Sequence, residues 1–180
     1  MAPPPNNLRC LISSVYGPSI DSSRVEFWEE LTSPRQSLSG PCCVVGDFNI
    51  IRYTEEHLRS RKVSSAMRAF SDWIENQELV DLPLLGAKFT WTNGRANPIL
   101  SRLDRFLVSP KWLETFPFIS QSARTTSDHC SILLSVEGYA GHRLLSKLKT
   151  PQRKVKVVEV YSASQKEFRI GLYVFRIAKD

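Results

Sequence analysis

The sequence predicts a mixed α/β fold, on three observations. Cys42-Cys43-Val44-Val45 is an apolar run without a polar interruption, the pattern of a strand buried on both faces. A strand-like run and then a helix-like segment precede it, in strand–helix–strand order with loops of ordinary length. Beyond it come a helix with a single apolar stripe, a hairpin and further strands.

At 180 residues and 42% hydrophobic composition the chain suits one domain with a sizeable core. No run of 18 apolar residues occurs, which excludes a membrane-spanning helix. Residues 1–7 are Pro- and Asn-rich without an apolar signal core and read as a disordered lead-in, so a secreted protein is not expected. Cys10, Cys42, Cys43 and Cys130 lie in strand-like runs with no CxxC pair. They read as buried thiols of a reducing compartment, the nucleus or cytosol.

The net charge of +6 invites a nucleic-acid reading. Residues 1–142, however, carry 14 Lys and Arg against 15 Asp and Glu, whereas residues 143–180 carry 10 against 3. The basic excess belongs to the tail and does not bear on the body of the chain.

In chain order, Leu8–Tyr16 is the first strand, stopped by Gly17-Pro18, with Tyr16 at its carboxyl end. Ser23-Arg24-Val25-Glu26 has the form of a capping box, and Val25, Trp28 and Leu31 follow at helical spacing. Pro34 and Ser39-Gly40-Pro41 return the chain to the Cys42 strand, which climbs into Gly46-Asp47-Phe48-Asn49. Strand alternation would aim Asp47 and Asn49 the same way at the carboxyl rim, where ligands of α/β sheets collect. The plainer alternative is an Asx turn closing the strand.

Residues 52–63 are polar and aperiodic and read as a loop, with His57 exposed. Ser64-Ser65 caps a helix striped by Ala66, Met67, Phe70, Trp73 and Ile74. Lys88–Thr92, Asn93-Gly94 and Ile99–Val108 read as a hairpin. Its second arm puts Asp104 on one face with Phe106 and Val108. A carboxylate there is costly without a partner, and His129 is the group placed to answer it. Pro110–Phe116 is a short helix, and Ile119–Arg124 and Cys130–Val136 are strands. In the tail, Lys154–Tyr161 and Phe168–Ile177 are strand-like.

Together Tyr16, Asp47, Asn49, Asp104, Asp128 and His129 form a set suited to phosphodiester hydrolysis. A histidine oriented by a buried aspartate serves as acid or base near neutral pH. Asp47 or Asp128 suits a hard cation or an attacking water, and Asn49 and Tyr16 can donate hydrogen bonds to phosphate. Arg95, Arg102 and Arg105 on the hairpin mildly favour a polyanionic substrate.

Val15-Tyr16-Gly17-Pro18, Gly46-Asp47-Phe48-Asn49, Phe89-Thr90-Trp91-Thr92, Ser101-Arg102-Leu103-Asp104-Arg105-Phe106 and Ser127-Asp128-His129-Cys130 carry a resemblance in order and spacing. Over residues 9–137 the chain resembles the endonuclease/exonuclease/phosphatase family, nearest to the apurinic-like endonuclease domain of plant LINE-type (non-LTR) retrotransposons. The resemblance implies a two-sheet α/β sandwich over residues 8–137, with residues 138–180 a basic tail of unknown fold. It implies Mg²⁺-dependent cleavage of DNA, with no small-molecule cofactor. Asp47 would align or deprotonate the water, Asn49 would contact the phosphate and Tyr16 would support the phosphate or leaving group. Asp104 would orient His129, and Asp128 with Asp47 would hold the metal environment.

Two earlier strands of the family pattern, bearing an Asn and the principal metal-ligating Glu, have no counterpart in this sequence. A truncated chain is therefore expected, with an open sheet edge, a tail that packs poorly and weak or no nicking. The alternatives are a catalytically dead remnant that binds nucleic acid through its tail, and a phosphatase of the same fold.

Overall fold

The computed structural model describes residues 9–36, 40–116, 119–125, 130–140, 155–161 and 166–172. Their order is β1 (Arg9–Tyr16), α1 (Arg24–Gln36), β2 (Cys42–Asp47), α2 (Ser65–Asn76), β3 (Val80–Asp81), β4 (Leu84–Leu85), β5 (Trp91–Thr92), β6 (Leu100–Ser101), β7 (Asp104–Val108), α3 (Pro110–Thr115), β8 (Ile119–Thr125), β9 (Cys130–Ala140), β10 (Val155–Tyr161) and β11 (Lys166–Leu172). One sheet runs β10-β1-β2-β7-β3, a second β11-β9-β8-β4, and β5 and β6 form a third of two strands. The protein is thus mixed α/β, with several sheets and few helices.

The central pairing is β1 with β2, parallel, in the register Leu11↔Cys42 through Tyr16↔Asp47. Parallel neighbours need a crossover, and α1 supplies it. As the unbroken apolar run predicts, every residue of β2 is buried. Its far edge pairs antiparallel with β7, Cys43↔Val108 through Asp47↔Asp104.

Alternation sorts the side chains of this sheet into two cores. Leu11, Val15, Val44 and Leu107 pack with Phe27, Trp28 and Leu31 of α1 and with Met67, Phe70, Trp73 and Ile74 of α2. Trp28 stacks on Phe70 and Trp73 at ring-centroid distances of 5.3 and 5.1 Å. On the other side Ile12, Cys43, Val45, Phe106 and Val108 share a cluster with Trp112, Phe116 and two residues of β9, Ile132 and Leu134. Ser64 caps α2, its hydroxyl accepting from Met67 N at 3.1 Å, and Ser109 caps α3 in the same way.

Several expectations are corrected. Val25 is 66% exposed; the inward stripe of α1 is Phe27, Trp28 and Leu31, because a three-residue 3-10 turn (Asp21–Ser23) precedes the helix and sets its phase. β3 and β4 arise between α2 and the hairpin, held by pairing with β7 and β8. The expected tail is not apart from the sheets. β10 pairs with β1 over Arg9↔Tyr161 to Val15↔Val155, closing the edge expected to be open, and β11 pairs with β9. Residues 1–8 lie outside the described residues.

Cys10, Cys42 and Cys43 are buried free thiols. Burial, reinforced by neighbouring Cys42, pushes the Cys10 thiol up to about 12, and burial pushes Cys43 up as well. Thiolate is the reactive form, so Cys10 and Cys43 should resist an aromatic disulfide reagent at pH 8 until denaturant is added. Fast labelling of Cys10 or Cys43 in the native protein, read by peptide mass, would contradict that packing. Among the described residues no helix is long and apolar enough to cross a membrane.

Candidate functional site

Tyr16, Asp47 and Asp104 form one row across β1, β2 and β7, since Tyr16 is in register with Asp47 and Asp47 with Asp104. Residues opposite one another on adjacent strands share a face. Alternation from Ile12, from Cys43 and Val45, and from Phe106 and Val108 sets that face as the one carrying the cluster shared with β9. Asp104 is fully buried at 0% exposure and Asp47 is buried at 2%, whereas Tyr16 at the end of the row is 48% exposed. The row therefore runs from a dry acidic interior to a wet aromatic edge.

The turn after β2 is tightly held. β2 ends at Asp47, so strand alternation does not aim Asn49, as had been expected. Asn49 instead takes a left-handed conformation (φ 51°), which asparagine tolerates better than most residues. Asp47 Oδ1 accepts from Asn49 N at 2.7 Å, and Asn49 Nδ2 donates to Gly17 O at 2.7 Å. The Asp47–Asn49 bond thus forms the Asx turn that was the plainer alternative. Phe48, between them, is fully buried against Phe70, with ring centroids 5.2 Å apart. Phe48 N donates to Leu103 O at 3.0 Å, which ties the turn to the start of β7.

Two glycines make this approach possible. A Cβ on Gly17 would collide with the Phe48 carbonyl, and one on Gly46 (φ 147°) with the Val15 carbonyl.

Two supporting residues were not singled out as site residues by the sequence. Thr90, fully buried, accepts from Leu103 N at 2.9 Å and Asp104 N at 3.0 Å, fixing the backbone where Asp104 begins β7. Arg24, 6% exposed, donates from Nη1 to Phe48 O at 3.3 Å and from Nη2 to Asn49 O at 2.9 Å. The Phe-Thr-Trp-Thr wording pointed to Thr90's segment, but nothing in a capping pattern marks Arg24 as turning inward.

The hairpin arginines divide. Arg95 is exposed near the tip. Arg105 is fully buried on the face of β7 opposite Asp104, its guanidinium between Glu56 and Asp81, while Arg102 bonds Asp81 at 2.9 Å and Glu56 at 3.3 Å. Both guanidiniums are committed to internal carboxylates, which removes Arg105, and largely Arg102, from substrate contact. The reason is that the 52–63 segment is not simply a solvent loop: Arg102 N donates to Glu56 O at 2.8 Å, docking Glu56 beside β7. His57, half-buried, bridges to Ser101, and its Nδ1 accepts from Arg59 N at 3.0 Å.

Asp128 and His129 lie outside the described residues. Among the described residues no group of three or more His, Cys, Asp or Glu side chains is gathered to hold a metal ion. Of Asp47 and Asp128, the two carboxylates expected at the metal, Asp47 is among the described residues, and its oxygens are the hard donors a cation such as Mg²⁺ favours.

A mixed α/β protein with an acidic row at the carboxyl end of its central parallel strands belongs to a class in which ligands meet the sheet at that rim. The family model of the endonuclease/exonuclease/phosphatase family matches residues 3–129, well over half of the chain, and the chain belongs to that family. The family includes Mg²⁺-dependent nucleases and phosphatases. No curated protein matches the chain.

Proposed function

We propose that this protein hydrolyses phosphodiester bonds in DNA, as an endonuclease domain of the LINE retrotransposon type built on a two-sheet α/β sandwich. The observation that supports this reading is the row Tyr16–Asp47–Asp104, with Asn49 locked beside it. Mg²⁺ would be held by Asp47 and Asp128 and would supply charge neutralisation at the phosphate.

The chain's own residues do the rest. Asp47, kept dry and fixed by the Asn49 N–H, aligns the attacking water and draws its proton. Asn49 keeps one amide hydrogen for a phosphate oxygen, since its bond to Gly17 O uses the other. Tyr16, at the wet end of the row, presents its hydroxyl to the phosphate or leaving oxygen. Asp104 orients His129 as the acid–base group. Arg95 offers a positive charge to the DNA backbone at the hairpin.

The test is nicking of supercoiled plasmid by the purified chain with Mg²⁺. Conversion to open circles that stops on chelation supports the reading. DNA bound but left intact favours a non-catalytic remnant, and hydrolysis confined to small phosphomonoesters favours a phosphatase.

A further inference from the structure

We infer that Arg24 is a positioning residue for the Asp47–Asn49 turn, holding Asn49 in its left-handed conformation from the first turn of α1. The inference rests on the reading of Asn49 and Asp47 as phosphate-facing groups. Arg24 Nη1 donates to Phe48 O at 3.3 Å and Nη2 to Asn49 O at 2.9 Å. Those carbonyls belong to the two peptide planes that flank the Asn49 Cα. The rotation between these planes is the φ and ψ of Asn49, and a guanidinium is a rigid planar fork with its donors in fixed directions. Gripping both carbonyls with one fork therefore fixes the backbone of Asn49 directly.

The fork is itself anchored. Arg24 Nε donates to Asp21 Oδ1 at 2.9 Å, and Asp21 is 74% exposed while Arg24's side chain is 8% exposed. Asn49 is consequently held from three directions: its N–H by Asp47, its carboxamide by Gly17 and its flanking carbonyls by Arg24.

Helix stabilisation does not account for Arg24. A cation in a first turn opposes the helix dipole, and a buried guanidinium is retained only where its donors are met. Here the acceptors come from the turn that carries Asn49, 24 and 25 residues away in sequence. A left-handed Asn without such a clamp would pass readily to the extended region, swinging its carboxamide off Gly17 O.

The experiment is amide hydrogen exchange followed by NMR on the full labelled chain, comparing the parent with Arg24→Gln, Arg24→Lys and Asp21→Asn. Arg24→Gln should speed exchange of the Asn49 backbone amide about tenfold or more, with Val44 and Val45 in β2 unchanged. Arg24→Lys, a point charge able to grip one carbonyl at a time, should fall between. Asp21→Asn changes an exposed group and keeps the fold. It should speed Asn49 by roughly twofold to fivefold, and serves as the deciding variant if Arg24→Gln does not fold. Faster exchange confined to Glu26–Trp28, with Asn49 unmoved in Asp21→Asn and Arg24→Lys alike, would overturn the inference and leave Arg24 a part of the helix start. Where the parent nicks DNA, Arg24→Lys should lower kcat and leave KM unchanged. Exchange does not depend on nicking, so a loosened Asn49 in a chain that never cuts would sink the nuclease reading and leave the clamp standing.

Discussion

Glu56→Gln is expected to lower the stability of the fold by about 3–5 kcal/mol, the cost of removing one partner from a buried ion pair. Glu56 is 7% exposed and accepts from Arg105 Nη1 at 2.9 Å and also from Arg105 Nη2. It further accepts from Arg102 Nη1 at 3.3 Å and from the backbone N–H groups of Arg52 and Tyr53 at 2.7 and 3.1 Å. Asp81 answers the same two guanidiniums at 2.7 and 2.9 Å. Arg105 has no route to water at 0% exposure and also lies over the Phe70 ring, 5.5 Å from its centroid. Gln keeps the size of Glu56 but leaves Arg102 and Arg105 sharing the charge of Asp81. Urea denaturation at pH 7 measures the difference, and a loss below about 1 kcal/mol, the range of an exposed pair, would show the network to be wet.

The same substitution should change how stability depends on pH. Burial pushes the Glu56 carboxyl up, but the hydrogen bond and charge of Arg105 and the N–H groups of Arg52 and Tyr53 outweigh it and hold the group below its ordinary value of 4.5. A depressed folded value means that the stabilisation is complete above the ordinary carboxylate range and is lost as pH falls through the lower folded value. The parent should therefore lose stability on acidification below about pH 4.5 more steeply than Glu56→Gln. Parallel acid limbs would indicate that other carboxylates carry the acid transition.

What could be read from the sequence follows from how local each signal is. β2 was legible because an apolar run buried on both faces needs no partner to announce it. The α2 stripe and the burial of Asp104 beside Phe106 and Val108 were legible because alternation and helical period are local geometry. The direction of Asn49 was not, because the strand stops at Asp47 and a turn held by Gly17 and Arg24 takes over. Glu56 was lost for the same kind of reason. It stands in a polar, aperiodic stretch that reads as solvated, and only its pairing with residue 102 brings it under cover. A clue to Arg105 was present all the same. Asp-Arg-Phe-Leu-Val is apolar on both faces of its later residues, so an arginine in that run must find an internal carboxylate. β3 and β4, at two residues each, owe their existence to β7 and β8 rather than to any propensity of their own. Strand character was read at Lys154–Tyr161 and Phe168–Ile177, matching β10 and overlapping β11 over residues 168–172, but where these strands pair is a matter of the whole sheet.

Asp47→Asn and Asp104→Asn should each lower Mg²⁺-dependent nicking by about 10²–10⁴-fold, the range for losing a positioned acid–base group or its orienter. Asparagine preserves shape in both places, so packing around the row should survive and thermal melting should move little beside the change in rate. At 47 the amide oxygen can still accept from Asn49 N, which keeps the turn while removing the charge that draws a proton from water. At 104 Thr90 still fixes the backbone through the N–H groups of residues 103 and 104, so the effect reads the lost carboxylate rather than a moved strand. The two residues face one another across β2 and β7 and are proposed to serve a single step. Their losses should therefore not add, and the double variant should fall close to the worse of the two singles. Because contact with the DNA backbone is proposed for Arg95, outside this row, KM should stay near the parent value in all three. Nicking that persists at the parent rate in the double variant would assign the cutting to some other agent in the preparation and end the case for this row as a hydrolytic centre.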